Sequence, residues 1–567
     1  MTCRRAIAAA LFTGTLFAQD VAPRNTQPGV RYVGDRACRN CHGAIADSFA
    51  RTPMGRSAAA PSVSDPLGEF RQSAEVRVKA TGRTYRSQIR EGKVIHSSDL
   101  ESYEVAYAIG SGTNGRSYVI RRGGYLFLSP LSFYTARKQW DLSPGFESGV
   151  FRDFTRPVAL ACLNCHTGIP RPDPTLPDRF QEPAVQVLTI GCERCHGPGE
   201  IHVQQATQGL AATKSSIANP ARLQPGPRDD VCSQCHLGGD IRVLQPGRRE
   251  TDYRPGAQLD EVVVIFSLPE SAKLGGFQAV SQVAQLRASR CWKDSQGKLA
   301  CFTCHDPHRR IERLEAARHY RARCLGCHQP GACHLSLAKR RDTSPPDNCI
   351  TCHMPRSRLS NVAHVSHTDH RIVKTAAPEW EEAATAPAAV ELVYESARPG
   401  RVEPGLRSKA LAYAEATLLA RPLVSRALRL LGDAVRVLPR DVEVWGWHGV
   451  LLADYETGRQ EEAARSLERA ISLGSSSAAV HRALAGLRQQ AGDLLTAERL
   501  YRDAIRLEPF DTAAYVALAR MYLQQRDSER AAQMVSTLSS VDPAHPMVER
   551  LRQELGQAGK DGLPRLR

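Results

Sequence analysis

Residues 301–328 read CFTCHDPHRRIERLEAARHYRARCLGCH, and the Cys-x-x-Cys-His pentapeptide that opens and closes this stretch decides how the first two-thirds of the chain is read. It occurs seven times, as Cys38-Cys41-His42, Cys162-Cys165-His166, Cys192-Cys195-His196, Cys232-Cys235-His236, Cys301-Cys304-His305, Cys324-Cys327-His328 and Cys349-Cys352-His353. These units take fourteen of the 17 cysteines. Two thiols three residues apart can each form a thioether to one vinyl group of the same porphyrin, and the next residue then stands beside the iron. This is the c-type haem attachment pattern. Zinc ribbons join CxxC units in pairs and need no His at a fixed following position. A disulfide scaffold leaves the repeated His unexplained. The spacing predicts about seven covalently bound c-type haems, with His42, His166, His196, His236, His305, His328 and His353 as proximal iron ligands.

A haem with only a proximal His has an open face, whereas one with two strong axial ligands mainly passes electrons. Between residues 30 and 375 eight further His are available: His96, His202, His308, His319, His334, His364, His367 and His370. The candidate distal ligands are Met54, His202, His308, His334, His367 and His370. His308 follows His305 by three residues, which extend at most ~10 Å, so it is expected to serve a neighbouring haem. His96 lies in a strand-like segment, and a ligand role for it or His319 is weaker. Met54 follows His42 by twelve residues, and Met ligation would raise that haem's potential. A core Met is the plain alternative. Cys291 and Cys333 are a leftover pair in an exported chain, expected to form a disulfide; an eighth haem on Cys333-His334 is the alternative.

The segments CHGAIADSFARTPM (41–54), CERCHGPGEIH (192–202), CFTCHDPH (301–308) and CITCHMP (349–355) resemble the multihaem cytochrome c superfamily of tetrahaem hydroxylamine-pathway cytochromes and pentahaem nitrite reductases. The resemblance covers roughly residues 30–375. It implies a distal ligand at His202, and it departs at Met54, where those relatives usually carry His. Their nitrite reductases use a CxxCK catalytic haem, and this sequence contains no CxxCK.

Between His42 and Cys162 lies a haem-free stretch whose runs, such as EVRVKA (75–80), YEVAYAIG (103–110) and YLFLS (125–129), alternate apolar and polar residues between Gly-rich turns. It reads as a small β-meander inserted over 65–135. From Cys301 to His353 three units fall within about fifty residues, too little free chain for a side-chain core. Residues 376–405 are rich in Ala, Pro and Glu and read as a linker. Beyond it, Ala463, Ala497 and Ala531 repeat every 34 residues, and Pro509 and Pro543 close successive units. This looks like tetratricopeptide repeats over 406–550, with units at 444–477, 478–511 and 512–545. Trp447, Tyr501, Tyr515 and Tyr522 are expected in their core, and the groove should hold a peptide or protein. The expected fold is therefore a mainly α and loop multihaem domain over 30–375, with that small β insertion, followed by an all-α repeat solenoid.

The 567 residues carry 75 Lys and Arg against 59 Asp and Glu, 42% apolar residues and only 6% aromatic ones. Haem plates would answer the aromatic deficit, and their propionates would offset about seven to fourteen charges of the +16 net charge, two of which leave with Arg4 and Arg5 of the signal. No basic run with interleaved aromatics marks a nucleic-acid partner. Met1 to Ala18 reads as a secretory signal, so a periplasmic or extracellular location is expected. Membrane association is expected only through partners. The leading expectation is electron relay to a redox partner protein, with the repeats docking a partner. The alternatives are an oxidoreductase acting on a small nitrogen or sulfur oxyanion at one open haem, and a repeat scaffold with structural or sensory haems.

Overall fold

The computed structural model describes residues 23–561 apart from 63, 66, 71–72, 80, 148–150, 211–215, 270–280, 359–365, 375–390 and 396–402. The signal segment, His364 and most of the 376–405 stretch lie outside these residues.

The alternating runs form more than a small meander. Nine antiparallel strands make one sheet: β1 (Ala58–Ala59), β2 (Ala74–Arg77), β3 (Thr84–Arg90), β4 (Lys93–Ser97), β5 (Ser102–Ile109), β6 (Gly115–Arg122), β7 (Tyr125–Tyr134), β8 (Gln139–Leu142) and β9 (Arg156–Pro157). The order runs β2 through β8, with β1 on β5 and β9 on β7. This corrects the mainly α and loop expectation, because the sheet spans 58–157 rather than 65–135. Strands β1, β8 and β9 are only two to four residues long, too short to show alternation in sequence. The interior strand β7 is buried along nearly its whole length, as expected of a strand covered on both faces. One face packs Phe70, Val94, Val105, Ala108, Tyr118 and Phe133 together. The other packs Tyr107, Val119 and Leu126 against Val158, Leu163, Phe180 and Val185. Smaller antiparallel sheets pair β10 (Ile169–Pro172) with β11 (Phe180–Val187), β12 (Ile241–Leu244) and β16 (Val393–Tyr394) with β13 (Val263–Ser267), and β14 (Arg356–Arg358) with β15 (Ser366–Thr368).

Around this β framework run short helices: α1 (Asp35–Phe49), α2 (Leu160–His166), α3 (Glu193–His196), α4 (Glu200–Thr207), α5 (Pro225–His236), α6 (Gln282–Ala288), α7 (Arg290–Asp294), α8 (Cys301–Cys304), α9 (Arg313–Leu325), α10 (Leu337–Arg341) and α11 (Cys349–His353). None of α1, α7, α8, α9, α10 or α11 has a buried residue. The side chains of 301–353 thus form no core of their own.

The C-terminal part is all helical: α12 (Leu406–Ala416), α13 (Val424–Val437), α14 (Val442–Tyr455), α15 (Gln460–Ser472), α16 (Ala478–Gln490), α17 (Leu494–Leu507), α18 (Thr512–Gln524), α19 (Ser528–Val541) and α20 (Pro546–Asp561). Ala463, Ala470, Ala497, Ala504 and Ala531 are fully buried, since only a small residue permits this close approach of paired helices. A Cβ added to Gly449 would stand 2.6 Å from Leu467. Asp441, Ser477, Asp493, Asp511 and Asp527 accept from backbone amides at the N-termini of α14, α16, α17, α18 and α19, which fixes where each helix starts. Tyr501, Tyr515 and Tyr522 are core residues as expected. The first unit starts at Val442, and Trp445 joins the cluster of Leu467, Val480 and Leu484, while Trp447 packs against the preceding helix pair.

The solenoid is fastened to the N-terminal part at three places. Ile241, Val243, Val264 and Phe266 of β12 and β13 share a core with α12 and α13, and residues 393–394 of the expected linker pair with β13. Leu176 packs against Ala478, Leu507 and Ala514. Arg122 of β6 lies 5.1 Å over the Phe510 ring and donates to the carbonyls of Ser540 and Val541, 3.1 and 2.8 Å away, at the C-terminal end of α19. Phe510 also meets Phe127 edge-on at 4.7 Å. Among the described residues no helix is long and apolar enough to cross a membrane.

His96 is fully buried in the sheet, with Nδ1 2.8 Å from the Ser129 hydroxyl and its ring against Tyr118 and Trp140. It is a core residue there. Burial pushes its pKa down from 6.5 to about 3, so its contribution to stability is full above pH 6.5 and is lost as pH falls from there toward 3. The denaturant midpoint reported by near-ultraviolet dichroism is expected to fall between pH 7 and pH 5, with a shallower fall in His96→Gln. An equal fall in both proteins contradicts this.

Candidate haem-attachment cavity

The CxxCH spacing matches one turn of helix. Residues three and four apart share a helix face, so both thiols and the imidazole project the same way. The turns close accordingly: the amides of His196, His305 and His328 bond to the carbonyls of Cys192, Cys301 and Cys324 at 3.0, 2.9 and 2.9 Å. The second and fourth units are seated by the β framework, Leu163 of α2 packing against the large sheet and Leu237, just after α5, against β13. Glu193, inside the third unit, seats it on the N-terminal segment by accepting from the amides of Val33, Gly34 and Gly199 at 2.9, 2.7 and 2.7 Å. Asp35 of α1 accepts from the Cys192 amide at 2.9 Å. The first and third units are thereby locked together.

All seven turns face a single cavity of about 3100 Å³. All seven proximal His line it, with twelve of the fourteen motif cysteines; Cys162 and Cys327 lie outside the lining. Thiols of different units meet: Cys38 with Cys192, Cys165 with Cys235, and Cys232 with Cys301 share hydrogen bonds, and Cys324 bonds to Cys349. Burial holds the imidazoles of His166, His196, His236 and His305 below the usual histidine range. They are neutral and able to donate a lone pair to a metal.

Three imidazole pairs face each other across this cavity. Ring centres are 6.4 Å apart for His42 and His202, 6.0 Å for His196 and His308, and 6.3 Å for His305 and His370, with interplanar angles of 16°, 11° and 30°. With metal–imidazole bonds of about 2 Å and ring centres about 1 Å behind the ligating nitrogen, two axial ligands of one metal stand about 6 Å apart. The Nδ1 atoms of His196, His353 and His370 are each 2.8 Å from a backbone carbonyl, of Ala218, Val373 and Thr368. That bond orients a ligating imidazole and leaves Nε2 to the metal. Among the described residues no group of three or more His, Cys, Asp or Glu could hold a bare metal ion. A porphyrin supplies four of the ligands itself, so two facing imidazoles suffice, and the residues present fit a haem.

The other expected ligands are placed differently. Met54 lines the cavity, but the ring facing His42 belongs to His202. His334 is exposed on the cavity wall, and His319 has Nε2 3.3 Å from the Cys304 carbonyl. His367 pairs with Ser357 in β15, and its side chain lies outside the described residues. Cys291 and Cys333 are free thiols, with Cys291 beside Cys304 and Cys327. Both line the cavity, and the expected disulfide is not formed between them. Sequence reading missed Tyr320, whose hydroxyl is 3.3 Å from Nδ1 of His305, although its place four residues before Cys324 puts it on the cavity face of α9. It also missed Gln282, bonded to His236, for which no sequence signal exists.

A tetratricopeptide repeat family model matches residues 488–555. No curated protein matches the chain. Among solved structures, the MamA protein is 19% identical over 27% of this chain and 81% of its own, with a TM-score of 0.25. A thermophilic repeat protein of Thermus thermophilus is 21% identical over 27% and 81%, with a TM-score of 0.23. YrrB, described as a repeat protein with an unusual peptide-binding site, is 17% identical over 26% and 76%, also at 0.23. The helical C-terminal part carries tetratricopeptide repeats.

Replacing Glu193 by Ala leaves three amides of the 33–34 and 199 backbone without their acceptor and is expected to cost about 2–3 kcal/mol. Chemical denaturation followed by near-ultraviolet dichroism measures the loss, and a variant as stable as the parent contradicts the role given to Glu193.

Proposed function

We propose that the chain is an exported multihaem c-type cytochrome that relays single electrons, with the repeat solenoid meeting a protein partner. The observation that carries this reading is the set of three facing imidazole pairs in a cavity lined by seven CxxCH turns. The fourteen motif cysteines would hold the haems by thioethers, and the seven motif His would be their proximal ligands. His202, His308 and His370 would take the far faces of the first, third and fifth. Haem supplies one-electron oxidation and reduction at its iron. The chain's own residues orient the imidazoles, keep them neutral and shield the cavity walls. Each of the three distal His follows a different unit in sequence, so ligation also cross-links the units. The start MTCRRAIAAALFTGTLFA supports export. A peptide-binding site named for one of the similar repeat proteins supports a protein or peptide partner at the solenoid.

Gln282 favours a second reading at one position. It is bonded to His236 and orients that imidazole, while none of the facing pairs among the described residues includes His236; an open far face at the fourth unit would suit a small nitrogen or sulfur oxyanion.

In the oxidised, haem-loaded protein, His202→Ala, His308→Ala and His370→Ala should each convert one low-spin centre to high-spin in electron paramagnetic resonance, with the haem count unchanged. Spectra identical to the parent's would contradict the assignment. Turnover of nitrite with reduced viologen is expected to be negligible, and rapid turnover would favour the second reading.

A further inference from the structure

The helix that carries the sixth unit has two different faces. Arg313, Ala316, Tyr320 and Cys324 of α9 line the cavity. Leu314, Arg318, Arg321 and Ala322 recur at the complementary spacing and point the other way. Leu314 is 98% exposed, an unusual state for a leucine in a helix. Beside this face stands α10: Arg321 and Arg340 share the Asp347 carboxylate at 2.7 and 2.9 Å, and Leu337 is 43% exposed with Lys339 and Arg341 exposed next to it.

Residues 301–374 hold 13 Lys and Arg against six Asp and Glu. Seven of these cations line the cavity, whereas Arg318, Lys339 and Arg341 are exposed outside it. Several of the acids are already engaged: Asp347 by two arginines, Glu315 by Arg309 at 2.7 Å and Glu312 by Arg310 at 3.7 Å. Arg318, Lys339 and Arg341 stand outside the cavity lining, so propionates within it would not neutralise them. Exposed Leu314 and Leu337 beside these cations, with Asp342 the acid next to Arg341, make a surface for a negatively charged partner with an apolar centre. The face is also close to the chemistry, since α9 is about 10 Å thick and α11, which carries the seventh unit, packs against it.

We propose that the outer face of α9 and α10, centred on Leu314 and Leu337 and rimmed by Arg318, Lys339 and Arg341, docks an acidic one-electron carrier protein. The proposal rests on the relay reading. One partner is oxidised and the other reduced by one electron, so no further reactant is needed.

The test uses the oxidised, haem-loaded full-length protein and calorimetric titration at low ionic strength. The probes are a plant-type [2Fe–2S] ferredoxin as acidic carrier, mitochondrial cytochrome c as basic carrier, and phosphatidylglycerol vesicles. The ferredoxin should bind, with affinity falling as salt is raised. The triple variant R318E/K339E/R341E should weaken binding by about tenfold or more. Leu314→Ser with Leu337→Ser should weaken it severalfold with the salt dependence retained. The variants' visible spectra and haem count should match the parent's, which separates loss of docking from loss of the cofactors. Equal affinity of parent and triple variant, preference for the basic carrier, or binding to vesicles without binding to ferredoxin overturns the proposal. A colourless protein would sink the relay reading instead.

Discussion

The first two-thirds of this chain depends on one turn of helix that holds two thiols and an imidazole on the same side. Repeated seven times, it turns all seven imidazoles toward one cavity. The surrounding helices are short and half-exposed, and α9 has no buried residue over 13 positions. Packing of that quality does not hold a 74-residue segment together by side chains alone. On the proposed reading, the interior is completed by plates bonded to the chain, and the facing imidazoles act as struts between segments far apart in sequence. His42 and His202 are 160 residues apart, and His196 and His308 are 112 apart.

The remaining folded parts hold those turns still. The nine-stranded sheet has hydrophobic clusters on both faces, and one of them receives Leu163 from the middle of the second unit. The sheet of β12, β13 and β16 receives Leu237 on one side and the first repeat helices on the other. The solenoid is accordingly no free arm. Arg122 is held between the Phe510 ring and two helix-terminal carbonyls, combining stacking with interaction at the negative end of the α19 dipole. On the proposed reading, a partner at the solenoid would sit on a part packed against the β framework that seats the cavity.

What could be read in the sequence followed from period and spacing. The 34-residue alanine repeat located the solenoid, because close helix pairing leaves no room for a larger residue at Ala463, Ala497 and Ala531. The strand runs of 75–134 were legible from their apolar–polar alternation between Gly-rich turns. Strands β1, β8 and β9 were not: they are two to four residues long, too short to show a period, and β1 and β9 are strands only through pairing with distant neighbours. Of the expected distal ligands, His202, His308 and His370 face proximal imidazoles, whereas Met54 was singled out by its distance along the chain, which says nothing of which segment crosses over it.

The central claim is tested most directly by the intact mass of the exported protein together with its visible spectrum. The account predicts a red protein whose mass exceeds that of the polypeptide, cleaved after Ala18, by seven haems. A colourless protein, or one with the mass of its amino acids alone, would contradict it.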